Sequence, residues 1–282
     1  MPENPGEAEL ETLKGEGIYL FCFARPHLLS VQNIAGPDDC YSVYTWTFMG
    51  VTAILSKVLL DEYCGPAAES GMKDLAWIGP RACRHENIVE QVMRHSPVVP
   101  ARFGTIFSSM NSLENLLKIH RKAILKFLDQ VADKQEWAVK GLIDSAQAKA
   151  KLVSEIIADK SEQLASLNPG ARYFQEKRIH NHAGSELNRR LKQIYTEIAD
   201  DLGALAADVC PGRLLSKDAS GTDMDMFMNT AYLIPLNCLK DFHARVDRAN
   251  AVYAQTGLVF QLSGPWPPYS FCPSFETEGI GD

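Results

Sequence analysis

Short apolar runs punctuated by turn residues alternate with long helical stretches along this chain of 282 residues. Residues 18–24, Ile-Tyr-Leu-Phe-Cys-Phe-Ala, are apolar without a break, which predicts a strand buried on both faces. Arg25-Pro26 interrupts it, and 33–39 reads as loop. Residues 41–48 alternate with β-branched and aromatic side chains and predict a second strand. Residues 49–58 are apolar with no decisive period, so a paired strand and a short helix both fit. Residues 65–79 predict a connection with some helix, and 84–95 a short helix on Ile88, Val89 and Val92. The run 97–107, broken by Pro97, Pro100 and Gly104, reads as extended. Ser112 is expected to cap a helix with Leu113, Leu117, Ile124, Phe127 and Val131 on one face.

A new pattern starts after Asp133-Lys134-Gln135. Residues 136–143 predict a strand and 145–167 a helix stopped by Asn168-Pro169-Gly170. Residues 171–205 restart as helix, with Leu187, Leu191, Ile194, Ile198 and Leu202 at spacings of three and four. Pro211-Gly212 ends that pattern. Residues 213–216 suggest a short strand, 224–234 a long one, 238–254 a helix with Gly257 as its stop, and 258–263 a last strand. Strand, helices, strand, strand, helix, strand is the βαββαβ order of a ferredoxin-like domain with a helical insertion. The expected fold class is α+β with two domains: a polar extension over 1–16, a mixed N-terminal domain over 17–133, a ferredoxin-like C-terminal domain over 134–271 and a tail over 272–282.

The last predicted strand runs into Gly264-Pro265-Trp266-Pro267-Pro268-Tyr269-Ser270-Phe271. Proline has no N–H to donate to a ladder, so the strand is expected to end there and continue as a stiff, extended strap. Trp266, Tyr269 and Phe271 ride on that strap, against either the chain's own fold or a partner.

Lys plus Arg total 28 and Asp plus Glu 35, a net charge of −7 that makes nucleic acid and anionic lipid membranes poor partners. The seven cysteines form no Cys-x-x-Cys pair and suit free thiols in a reducing cytoplasm. No stretch has the roughly 20 apolar residues of a membrane span, and the acidic start lacks the pattern of a secretory signal.

Signatures of catalysis do not emerge. There is no phosphate-binding glycine loop, no nucleophile elbow and no His-Glu-x-x-His motif, since position 89 is Val. His180 and His182 lie two apart on a predicted helix, pointing to different sides among basic neighbours, so no metal or other cofactor is expected. Arg102, in an otherwise apolar segment beside Phe103 and Gly104, fits either an anchor for a partner's carboxylate or a tie within its own chain. Met224, Met226 and Met228 share one strand face, and core packing is the expectation.

Three segments carry a resemblance: Val99-Pro100-Ala101-Arg102-Phe103-Gly104-Thr105, Glu136-Trp137-Ala138-Val139-Lys140, and the strap with Trp266, Pro267, Pro268, Tyr269 and Phe271. Their order and spacing resemble the gas vesicle protein family GvpL/GvpF from about Gly17 to Phe271. The strap is the most specific of the three. Ala101 departs from the pattern, because the family usually carries a larger apolar residue there. The resemblance implies two α+β domains with a ferredoxin-like C-terminal one. It also implies a non-enzymatic accessory or minor structural protein of gas vesicle assembly in the cytoplasm and at the vesicle. The implied partners are the small hydrophobic shell protein and other accessory gas vesicle proteins. The F and L branches of the family both fit. A ligand-binding or enzymatic role on a ferredoxin-like sheet face is the alternative, resting on fold analogy.

Overall fold

The computed structural model describes residues 15–26, 34–64 and 71–274. The fold is mixed α+β. Most of the N-terminal extension, the start of the 65–79 connection and the end of the tail lie outside the described residues. The chain divides into two compact units: one runs to Lys134 and takes up the chain again from Trp266, the other is Gln135–Pro265.

The first unit is a five-stranded sheet with helices. Its strands are β1 (Glu16–Ala24), β2 (Tyr44–Phe48), β3 (Val51–Leu59), β4 (Val98–Pro100) and β5 (Ile106–Phe107). The order is β2-β3-β1-β4, with β5 also on β1. All of β1 is buried, as its unbroken apolar run requires. The ambiguous run 49–58 is strand: β3 pairs antiparallel with both β1 and β2, and those two partners resolve what the sequence left open.

Helix α1 (Leu60–Tyr63) follows β3 directly. Helix α2 spans Leu75–Met93, starting well before the expected residue 84 and running through Pro80. Asp74 caps it by accepting from the Ala76 N–H at 2.9 Å. Packing of Ile88, Val89 and Val92 into the core holds the helix that includes Pro80, a residue that would break an isolated one. Helix α3 is Met110–Val131, and its N-cap is Ser109 rather than Ser112. Ser109 Oγ accepts from the Ser112 N–H, so Ser112 is the capped residue.

The second unit holds β6 (Lys134–Ile143), α4 (Ser145–Asp159), α5 (Ser161–Ala165), α6 (Pro169–Gly203), β7 (Asp208–Pro211), α7 (Lys217–Ser220), β8 (Asp225–Pro235), α8 (Leu239–Tyr253) and β9 (Leu258–Trp266). Its sheet order is β7-β8-β6-β9. Asn168 both ends the preceding turn and caps α6, accepting from the Ala171 N–H at 2.9 Å, with Pro169 at the first helical position. The short strand expected over 213–216 lies earlier, at β7, because Asp208–Pro211 is the stretch in register with Thr230–Leu233 of β8. Val139, Met228, Tyr232, Phe242, Val246 and Phe260 meet in this unit's core, with Ile198 and Leu202 of α6.

Both outer strands of this sheet have part of their edge occupied. On β7, the Val209 N–H is taken by the Asp208 carboxylate at 2.9 Å, and Pro211 has no N–H. On β9, the Asn250 side-chain amide accepts from the Phe260 N–H (2.8 Å) and donates to the Phe260 carbonyl (2.9 Å). Contrary to expectation, β9 does not stop at 263 but reaches Trp266 through Pro265. It can do so because an outer strand tolerates a residue without an N–H.

Candidate functional site

The segment 101–105 bulges between β4 and β5, and both ends are tied to β1. The Ala101 N–H donates to the Phe21 carbonyl and the Leu20 N–H to the Thr105 carbonyl, each at 2.9 Å. The register of β1 shifts between Leu20 and Cys22, which frees Phe21 for this bond. Inside the bulge the Thr105 N–H returns to the Arg102 carbonyl at 3.1 Å. Gly104 has φ +80°, the positive value that the third residue of a type II turn needs.

Beneath this turn lies a relay that the sequence did not reveal. The Gly104 N–H donates to Tyr19 Oη at 3.1 Å. Tyr19 Oη is 2.9 Å from His85 Nδ1, and His85 Nε2 is 3.0 Å from the Ala101 carbonyl. A carbonyl can only accept, so Nε2 carries the proton, Nδ1 accepts, and the Tyr19 hydroxyl is the donor. Both side chains are buried, Tyr19 at 0% and His85 at 2% exposure. Burial pushes His85 down to about 4, against the bond to the Ala101 carbonyl, and so keeps it neutral. Burial likewise raises Tyr19. The sequence signal for His85 was its place on the apolar side of α2 with Ile88 and Val92, an i, i+3, i+7 set.

Next to His85 on α2, Glu86 accepts from the Tyr269 hydroxyl at 3.0 Å. Burial raises the Glu86 carboxyl, and the Tyr269 bond works the other way. The Cys272 thiol lies 3.8 Å from the Pro100 carbonyl. Thus α2 holds the turn through His85 and the strap through Glu86. The strap is not extended to its end: Pro267 and Pro268 are buried, and Tyr269–Phe271 closes into a 3-10 turn. The Tyr269 N–H returns to the Pro267 carbonyl at 2.7 Å, a three-residue turn that ends the extended run, since polyproline II has no internal hydrogen bonds. Trp266 is 40% exposed and Phe271 is half-buried.

Of the residues singled out in the sequence, Arg102 is exposed, and among the described residues its guanidinium makes no ion pair. Phe103 is half-buried edge-on to Tyr19 and His85, at 6.2 and 6.0 Å between ring centroids. Ala101 contributes both backbone groups, its N–H donating to the Phe21 carbonyl and its carbonyl accepting from His85. Trp137 belongs to the second unit. Its indole packs edge-on to His243 at 4.5 Å and donates to Gln135 Oε1 at 3.2 Å. Gly264 sits against it: a Cβ at 264 would lie 2.9 Å from the Glu136 carbonyl and 3.0 Å from the indole. Arg102, Phe103, Gly104, Tyr269 and Phe271 therefore share one unit with Trp266, Pro267 and Pro268, while Trp137 stands in the other.

The second unit also has an open cleft of about 480 Å³, lined by Leu191 and Tyr195 of α6, Leu214, and Met226 and Phe227 of β8, with Asn188, Lys192 and Asp225 among its polar groups. Met228 of the methionine row is fully buried in the core, as expected, whereas Met226 faces this cleft and accepts from the Leu215 N–H. Among the described residues no group of three or more His, Cys, Asp or Glu side chains is placed to hold a metal ion. None of the described helices is long and apolar enough to cross a membrane.

These features define a scaffold of two α+β units whose distinctive residues position chain segments. The family model described as gas vesicle synthesis protein GvpL/GvpF matches residues 17–273, and the chain belongs to that family. Gas vesicle protein L1 of Halobacterium salinarum is 24% identical over 289 residues, covering 96% of this chain and 95% of that protein. Gas vesicle protein F1 of the same organism is 23% identical over 86% of this chain and 85% of its own length. The crystal structure of the gas vesicle protein GvpF from Anabaena sp. PCC7120 matches with TM-score 0.69 at 20% identity, over 92% of this chain and 99% of that one. GvpF from Microcystis aeruginosa matches with TM-score 0.65 at 18% identity, over the same shares.

Proposed function

We propose that this chain is a non-enzymatic accessory protein of gas vesicle assembly that acts in the cytoplasm by holding the small hydrophobic shell protein and other gas vesicle proteins. Family membership supplies the process. The observation that carries the non-enzymatic part is the use of the buried Tyr19–His85 pair. Both protons of that relay are given within the chain, the Tyr19 hydroxyl's to His85 and the His85 Nε2–H to the Ala101 carbonyl, and both side chains are buried. The exposed Arg102, at the tip of the turn, is the residue we assign to a partner contact. The second unit we read as a ferredoxin-like domain with a helical insertion, since β6 lies between β8 and β9 as that topology needs. The cleft beside Tyr195 favours a binding role for that unit as well.

The test is retention of shell protein by the tagged full chain after co-expression. Retention of the shell protein at physiological salt is expected, with Arg102→Ala reducing it while the melting temperature holds. A wild-type chain that retains no gas vesicle protein would overturn the proposal.

A further inference from the structure

Helix α6 carries a face, exposed along most of its length, that runs into the cleft of the second unit, where Tyr195 packs against the core. Tyr173, Lys177, Asn181, Asn188, Lys192 and Tyr195 recur at spacings of four, four, seven, four and three, which is a single helical stripe. The stripe is about 33 Å long at 1.5 Å per residue. Tyr173 is 59% exposed, and Asn188, Lys192 and Tyr195 form one wall of the cleft. Gly184 lies on the same stripe, and a Cβ there would approach nothing closer than Lys149 Nζ at 3.9 Å, so the middle of the face is a shallow notch.

Charge gives the face a sign. Among the described residues neither Lys177 nor Lys192 makes an ion pair. The acidic residues nearest them on α6 are already committed: Glu176 to Arg172 at 2.9 Å, Glu186 to Arg189 (2.7 Å) and Arg190 (3.1 Å), and Glu197 to the Tyr253 hydroxyl at 3.2 Å. In the cleft itself, Asp225 faces Lys217 at 3.4 Å. Two lysines without an ion pair among the described residues, one of them with its ammonium over the exposed Tyr173 ring at 6.0 Å, in a chain whose net charge is −7, call for an acidic and partly apolar partner. Strand addition to the sheet beside it is hindered at Val209 and Phe260, whose N–H groups are taken, and at Pro211, which has none.

From this we infer that the Tyr173–Tyr195 face of α6 docks an acidic amphipathic helix of another gas vesicle protein. The helix lays carboxylates against Lys177 and Lys192 and inserts an apolar side chain into the cleft between Leu191 and Met226. A long helical stripe with a notch suits a second helix, whose ridge fills the notch at Gly184. This rests on the assembly reading above and names the surface and the chemistry of the partner.

The experiment uses the full tagged chain co-expressed with the gas vesicle proteins, and measures which of them it retains. Two variants are compared with wild type: Lys177→Glu with Lys192→Glu, which reverses the charge, and Asn188→Trp, which fills the trough and leaves the charge alone. All three side chains are exposed, so far-UV circular dichroism should match wild type. Retention of one and the same protein is expected to fall about tenfold in both variants, and a Glu→Lys change in that protein should restore binding to the charge-reversed chain. If wild type retains gas vesicle proteins and both variants retain them equally, this docking face is wrong while the assembly reading stands. If wild type retains none, the assembly reading fails too. If the variants alter only the chain's own oligomeric state by light scattering, the face meets a second copy and the inference is overturned.

Discussion

Tyr19→Phe is the sharpest test of how the Arg102-Phe103-Gly104 turn is held. The change keeps the ring and its edge contacts but deletes the hydroxyl that accepts from Gly104 and donates to His85. Two polar groups then lose their partner, the Gly104 N–H and His85 Nδ1. Leaving a buried donor or acceptor unsatisfied costs about 1–3 kcal/mol each, so about 2–4 kcal/mol in total is expected once the turn relaxes toward water. For a unit of this size that lowers the melting temperature by about 10 °C. The turn should also open locally before the unit unfolds. Arg102 is exposed at its tip, so limited trypsin digestion offers a direct readout: cleavage after Arg102 should rise in Tyr19→Phe relative to other sites. His85→Leu should produce the same cleavage, and the double variant little more than either single, since both break one relay. A melting temperature within 2 °C of wild type, with unchanged cleavage after Arg102, would refute the relay as the turn's anchor, since that shift is well below the value worked out above.

Two further outcomes follow from the same geometry. His85 titrates below its ordinary value in the folded chain, at about 4, so the unfolded chain binds its proton first as pH falls. Stability should be intact above about pH 6.5 and decline by about 3 kcal/mol on acidification to about pH 4. Glu86 beside it is shifted upward and pulls the other way, so denaturant melts should be made in Glu86→Gln and lose this slope in Glu86→Gln with His85→Leu. Gly264→Ala places a Cβ against the Glu136 carbonyl and the Trp137 indole at φ +138°, a backbone state that L-residues avoid. A loss of about 2–4 kcal/mol and a change in Trp137 fluorescence are expected, whereas Gly221→Ala, at φ +67° with nothing within 4 Å, should cost about 1 kcal/mol.

Periodicity alone determined much of this protein. The apolar run of β1, the Leu113-to-Val131 face of α3 and the strand–helix order after Asp133 were all legible, because each element buries a face with its own repeat. The three segments that carried the family resemblance were likewise plain in the sequence, since prolines, glycines and aromatics at fixed spacing need no partner to be recognised. What the sequence could not decide was whatever depended on a distant neighbour. Residues 49–58 became strand only because β1 and β2 flank them, and Pro80 stayed helical only because α2 packs along its length. His85 looked like a failed metal motif until the fold set it between Tyr19 and Ala101, 66 residues before it and 16 after. Local sequence fixes which backbone states are cheap. Where a buried polar group finds its partner is a long-range question, and only the packed chain answers it.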